Sequence, residues 1–233
     1  MNPYISIIIP AYNEAQNIEK TVKDVTENTD YDYIVINDCS KDNTKEVCEK
    51  NNFNMISLPI NYGLTSGIQV GMKYAYKNDY DIAIQFDGDG QHDVSCIKLL
   101  VEQIEKGSDL AIGSRFLEPS TGFKSTFMRR LGIKWLCGSI RLASGLKVTD
   151  PTSGFRATGP KALEYFCKDY PADYPEPESI VAAKKAGLTI SEVQVVMHER
   201  QGGVSSINPL SSVYYMIKVT LAVFLVGLGR KRK

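Results

Sequence analysis

The sequence predicts an α/β domain built on a mainly parallel sheet with helices on both faces. Three observations predict it. Short β-rich apolar runs alternate with amphipathic segments through the first half of the chain, and polar clusters follow several of those runs directly. A chain of 233 residues that is 43% hydrophobic and 23% charged also suits a single buried core. Strand, helix and strand in series imply right-handed crossovers. Ligands of such sheets sit at the carboxyl ends of the strands.

The strands expected by composition are Ile5 to Ile9, Tyr33 to Asn37, Met55 to Leu58 and Ile82 to Phe86. Between the first two, Ile18, Val22 and Val25 fall at helical spacing, and Asn13 with Gln16 resembles a capping pair. Ile68 to Tyr76 and Ile97 to Ile104 carry similar stripes. Farther along, Leu110 to Gly113 reads as a strand, Phe127 to Ser144 as a helix and Ile190 to Val196 as a last strand. The expected division is an α/β domain over 1–207 and a membrane-associating helix with a basic tail over 208–233.

The apolar stretch Val213 to Gly229 is about 17 residues, interrupted by Lys218 and followed by Arg230-Lys231-Arg232-Lys233. A spanning helix needs roughly 20 apolar residues, so the stretch suits an amphipathic, interfacial helix held by anionic headgroups, or a core-packed helix with a solvated tail. The run Tyr4 to Pro10 lacks a basic leader and a cleavage site and reads as a first strand, not a signal peptide.

The 27 basic and 27 acidic residues cancel, which argues against a nucleic-acid binder. Five scattered cysteines without a CxxC pair suit reduced thiols in a cytosolic setting. There is no GxxxxGK[ST] and no GxGxxG after a strand, so P-loop, kinase and NAD readings lose their support. The two histidines, His92 and His198, have no GxSxG partner, which removes a hydrolase triad.

The most specific signal is Asp87-Gly88-Asp89-Gly90-Gln91. Two carboxylates one residue apart at a strand end both reach a hard cation, and the glycines let a ligand approach the backbone. An EF-hand loop does not fit: the sixth and twelfth positions from Asp87 are His92 and Lys98, not Gly and Glu. His92 is either a third ligand or a turn residue.

Three motifs then converge: Ile8-Ile9-Pro10-Ala11-Tyr12-Asn13-Glu14, Asn37-Asp38-Cys39-Ser40-Lys41-Asp42-Asn43-Thr44, and the Asp87 to His92 run. Together they resemble family-two glycosyltransferases of the GT-A fold, a Rossmann-like, mostly parallel mixed sheet flanked by helices. Gly113-Ser114-Arg115-Phe116, Asp150 to Arg156 and Arg200 to Ser206 resemble the dolichyl- and polyprenyl-phosphate sugar transferase branch. The resemblance covers roughly residues 4 to 207. It departs at Asn37-Asp38-Cys39-Ser40, where the family more often has Asp-Asp-Gly-Ser.

The resemblance implies an inverting enzyme that uses Mg²⁺ or Mn²⁺. Its donor would be a nucleotide-sugar and its acceptor a polyprenyl phosphate; Asp38 suits a pyrimidine edge, which favours UDP without excluding GDP. Pro10, Tyr12, Glu14 and Asp38 would hold base and ribose, and Asp87, Asp89 and Gln91 would hold metal and diphosphate. Arg115 and Arg130 would steady phosphate charge, and Arg129, Arg130, Lys134 and Arg200 would receive the acceptor phosphate; the alternatives are a solvated basic helix face for Arg129, Arg130 and Lys134 and a loop salt bridge for Arg200. In the alternative, transfer to a sugar hydroxyl, Asp173, Glu176 or Glu178 would be the base. The expected place is peripheral, on the cytoplasmic side of a membrane, with a homo-oligomer or a membrane partner protein left open. The rivals are a nucleotide-sugar binding module without activity, and a nucleotidyltransferase. The latter would want a basic glycine-rich loop, which Pro10 to Asn17 is not.

Overall fold

The computed structural model describes residues 3–118, 127–171, 173–198 and 209–229. The strands are β1 (Ile5–Ala11), β2 (Asp32–Asn37), β3 (Met55–Ser57), β4 (Ile82–Gln85), β5 (Leu110–Ser114), β6 (Arg156–Thr158) and β7 (Ile190–Gln194). The helices are α1 (Ile18–Asn28), α2 (Thr44–Lys50), α3 (Leu64–Lys77), α4 (Ile97–Glu105), α5 (Phe127–Ser144), α6 (Pro160–Lys168), α7 (Pro175–Lys185) and α8 (Pro209–Leu228).

The sheet order is β3-β2-β1-β4-β6-β5-β7, and every pairing is parallel except those of β6, which runs antiparallel between β4 and β5. The carboxyl ends of β1, β2, β4 and β5 therefore meet at one edge, and the amino end of β6 arrives there too. Alternation along β1 splits the core. Ile7 and Ile9 pack with Ile18, Val22 and Leu100 of α1 and α4, and Ile8 faces Ile68 and Met72 of α3. Burying each of these isoleucines contributes roughly 1.5–3 kcal/mol.

Gly71 lets α3 close on β1. A methyl there would lie 2.2 Å from Ile8 Cγ2 and 3.0 Å from Ile8 Cγ1. Gly71→Ala is expected to cost about 1–3 kcal/mol by overpacking, read as a lower midpoint in thermal unfolding followed by circular dichroism.

The expected strands and helices are present, with ends shifted by a few residues, and the described residues add α2, β6, α6, α7 and a 3-10 turn at Val94–Cys96. The Asn13 and Gln16 capping pair is corrected. Helix α1 begins at Ile18 after Asn17, whose side chain makes no cap bond. Asn13 has a φ of 58° and serves the neighbouring loop instead.

Helix α8 packs on the body of the protein. Val219 and Val223 are fully buried in the α3-side core, Trp135 Nε1 donates to Thr220 Oγ1 (3.0 Å), and Tyr174 meets Tyr215 edge-on. Lys185 Nζ donates to the carbonyls of Val226, Gly227 and Gly229 at its carboxyl end, where a cation is favoured. No helix among the described residues is long and apolar enough to cross a membrane.

Candidate active site

The two loops after β1 and β2 are laced together. Asn13 N donates to Ser40 Oγ (3.0 Å), Lys41 N to Asn13 Oδ1 (2.8 Å), Glu14 N to Thr44 Oγ1 (2.9 Å) and Ala15 N to Asp42 Oδ2 (3.1 Å). This accounts for the residue types of the second motif, because each short polar side chain satisfies a backbone group of the first. Cys39 takes a φ of 54°, a conformation that non-glycine residues adopt with strain.

Pro10 is buried in β1, Glu14 is partly buried and accepts from Asn17 Nδ2 (2.9 Å), and Tyr12 is exposed at the sheet edge. Asp38 is buried, and its two carboxylate oxygens accept from Tyr62 N (2.8 Å) and Gly63 N (2.7 Å). Its side chain therefore pins the turn before α3, where Gly63 has a φ of 83°.

At the end of β4, Asp87 and Asp89 are both partly exposed. Gln85, two residues earlier and on the same side of the strand, donates from Nε2 to Asp87 Oδ1 (3.2 Å). Asp87 N donates to His92 Nδ1 (3.1 Å), and His92 Nε2 lies 3.5 Å from Asp87 Oδ2. Burial pushes the His92 pKa down against the pull of Asp87 and Asp89, so the ring is neutral. His92 is thus a buried ring stacked on Phe155, and neither a turn residue nor an open ligand. Gly154 closes over Asp87, since a methyl there would lie 2.7 Å from Gln85 Nε2 and 3.0 Å from Asp87 Oδ2.

These residues fit a hard divalent cation. No cluster of three or more His, Cys, Asp or Glu side chains is found among the described residues. The two candidate ligands are hard carboxylate oxygens, the donor type that Mg²⁺ and Mn²⁺ take in one or two copies beside phosphate and water. Gln91 N donates to Asp89 Oδ1 (3.1 Å), and Gln91 Nε2 is turned to the carbonyl of His198 (3.4 Å). The side chain thus ties the loop to its neighbour, and the metal reading rests on Asp87 and Asp89.

Arg115 is placed differently from the expectation of a phosphate fork. It is 5% exposed, and its Nε and Nη2 engage Asp150 Oδ2 and Oδ1 at 2.6 and 2.7 Å, with Nη2 also on Thr152 Oγ1 (2.9 Å). Asp150 N and Thr149 N donate to Glu192 of β7. Burial raises the Glu192 pKa while those donors oppose it. The pair therefore anchors the segment 149–156, which carries Gly154 to Asp87.

Arg129, Arg130 and Lys134 lie on the exposed face of α5. Arg129 is close enough to feel the charges of Arg115 and Asp150; partial desolvation and then Arg115 lower its pKa. Arg200 lies outside the described residues.

Of the candidate bases, Glu178 is turned to its own helix, where its Oε1 accepts from Tyr174 N (2.8 Å). Glu176 is partly buried, and desolvation raises its pKa, with Arg156 opposing and Asp87 adding to the rise. Asp173 is exposed.

Sequence reading missed Gln85, Arg156 and Glu192. Gln85 and Arg156 occupy paired positions on β4 and β6, and Arg156 Nη1 donates to Ser179 Oγ (2.7 Å) on α7. A lone amide inside the run Ile82-Ala83-Ile84-Gln85-Phe86 was the available signal for the first.

The family model for Glycosyl transferase family 2 matches residues 6–166. A UDP-N-acetylglucosamine–dolichyl-phosphate N-acetylglucosaminyltransferase from Methanococcus voltae is 32% identical over 212 residues, covering 82% of this chain and 84% of the relative. Dolichol-phosphate mannosyltransferase from Pyrococcus furiosus is 32% identical over 169 residues, covering 69% of this chain and 47% of the relative. Among solved structures, glucosyl-3-phosphoglycerate synthase from Mycobacterium tuberculosis, in complex with Mn²⁺, UDP-glucose and phosphoglyceric acid, is similar with a TM-score of 0.71. It is 18% identical, covering 98% of this chain and 81% of that one. The chain belongs to glycosyl transferase family 2 and is a glycosyltransferase of the GT-A fold.

Proposed function

We propose that this enzyme transfers a sugar, with inversion, from a nucleoside-diphosphate sugar to the phosphate of a polyprenyl phosphate at the cytoplasmic face of a membrane. UDP is the expected nucleotide. The observation that carries the reading is the edge at which Asp87 and Asp89 stand beside the laced loops of β1 and β2. The names of the Methanococcus and Pyrococcus relatives support the lipid acceptor, and the Mn²⁺ and UDP-glucose of the mycobacterial complex support the donor and the ion.

In this reading Asp87 and Asp89 hold Mg²⁺ or Mn²⁺, which would neutralise charge growing on the leaving diphosphate. The Pro10 to Glu14 loop and the turn pinned by Asp38 bound the nucleotide pocket. An acceptor phosphate oxygen forms the new bond to the anomeric carbon while the bond to the nucleoside diphosphate breaks. A phosphate monoester is already anionic near neutral pH, so no side chain need remove a proton. Positioning and electrostatics carry the reaction.

Helix α5 supports the acceptor site. It holds Arg129, Arg130, Lys134 and Arg141 and no acidic residue, and its first turn feels the charges of Arg115 and Asp150 at the sheet edge. Its apolar side chains Leu131, Trp135 and Leu142 are exposed, as are Leu221, Leu225 and Leu228 of α8. Basic and apolar residues together suit peripheral contact with an anionic bilayer.

The test is transfer from radiolabelled UDP- and GDP-sugars to polyprenyl phosphate with Mn²⁺ or Mg²⁺. Counts extractable into organic solvent that vanish with chelator are expected. Donor consumption without any lipid product would overturn the acceptor.

Glu176 favours a second reading, transfer to a sugar hydroxyl, because a carboxylate with a raised pKa beside Asp87 suits a general base. Its ionised form would fill only as pH climbs through the raised value, giving an acid limb to the rate. Glu176→Gln would then lose that limb and roughly 10²–10⁴-fold in rate. Phosphate as acceptor instead expects Glu176→Gln to keep its pH profile and most of its rate.

A further inference from the structure

We propose that Gln85 and His92 are positioning residues that brace the Asp87 carboxylate from its two sides and so set how tightly the site holds its divalent cation. The inference rests on the metal reading above. Gln85 is buried in β4, and its amide N–H reaches Asp87 Oδ1 at 3.2 Å. His92 is 2% exposed, and its ring lies face to face with Phe155 (4.5 Å, 10°) and edge-on to Phe86 (5.3 Å, 80°). Two aromatic rings therefore fix its orientation.

The protonation of His92 follows from its partners. Nδ1 accepts the Asp87 backbone N–H at 3.1 Å, which leaves the proton on Nε2. That Nε2–H is buried without a hydrogen-bond partner, and Asp87 Oδ2 lies 3.5 Å away. A buried donor without an acceptor is unfavourable, so a small turn of the Asp87 carboxylate toward it is favoured. Gly154 lies close against this carboxylate, since a methyl group there would sit 3.0 Å from Asp87 Oδ2.

Both donors are neutral. They orient a carboxylate without cancelling its charge, whereas a lysine or arginine in either place would compete with the cation for Asp87. A ligating carboxylate held by such outer partners is pre-set for the ion, and their loss typically weakens metal binding about 10–100-fold.

The experiment is Mn²⁺ binding to the full chain in the presence of UDP, by calorimetry and by the electron paramagnetic resonance of the bound ion. It compares wild type with His92→Phe, which keeps a ring in the stack, and with Gln85→Leu, which keeps the volume. Each variant is expected to bind Mn²⁺ roughly 10–100-fold more weakly, with an altered resonance and with UDP affinity in the absence of metal unchanged. Wild-type affinity and resonance in both variants would overturn the brace while leaving the metal reading intact. A wild type that takes up no Mn²⁺ would overturn both. If His92→Phe fails to fold by circular dichroism, Gln85→Leu at the opposite oxygen decides.

Discussion

Replacing Asp89 by alanine is expected to remove Mn²⁺-dependent transfer, with a loss of roughly a thousandfold in kcat, since charge stabilisation by the ion is the largest contribution assigned to the site. Asp89 also accepts the backbone N–H of Gln91 at 3.1 Å, so a loop defect could imitate the loss of a ligand. Asp89→Asn separates the two. Its amide oxygen still accepts from Gln91, but the negative charge is gone. A near-complete loss in Asp89→Asn as well, with Mn²⁺ binding abolished in calorimetry, is the expected result. Retained transfer in Asp89→Asn would reduce Asp89 to a loop anchor.

The second large effect is on stability. Arg115 and Asp150 form a two-point ion pair with both side chains essentially out of water. Arg115→Met leaves Asp150 charged and buried without its partner, which typically costs about 3–5 kcal/mol. For a chain of this size that corresponds to a fall of roughly 10 °C in thermal midpoint. Changing both residues, Arg115→Met with Asp150→Leu, should restore part of that loss, because no unpaired charge remains. An unchanged midpoint in Arg115→Met, with lowered activity alone, would return Arg115 to the phosphate-binding role its motif suggested.

That contrast marks where the sequence stopped being readable. Strands β1, β2 and β4 were legible because runs such as Ile5 to Ile9 and Ile82 to Phe86 declare their period locally, and the motif loops follow them directly. Strand β6 was not. It is three residues long, Arg156–Thr158, and its place is decided by pairing with β4 and β5. Helix α7 shows no stripe, because Ile180, Val181, Ala182 and Ala183 are buried in succession. The partner of Arg115 lies 35 residues away, so a motif could reveal a functional arginine without revealing what holds it. The groups that Asp38 binds, the N–H of Tyr62 and Gly63, are likewise distant in sequence and carry no motif that announces them. The sequence around His92 suits a ligand or a turn residue alike, and its contacts with Phe86 and Phe155 come from the fold. In helix α8, Val219 and Val223 are core, as one of its two sequence readings expects, while Leu221, Leu225 and Leu228 are exposed.

The most direct test of sugar transfer to a lipid phosphate is ³¹P NMR of the enzyme with UDP-sugar, polyprenyl phosphate and Mg²⁺ in detergent. The account predicts that the phosphate monoester resonance is replaced by a phosphodiester, with one nucleoside diphosphate released for each diester formed. Release of nucleoside diphosphate with the monoester resonance unchanged would contradict it.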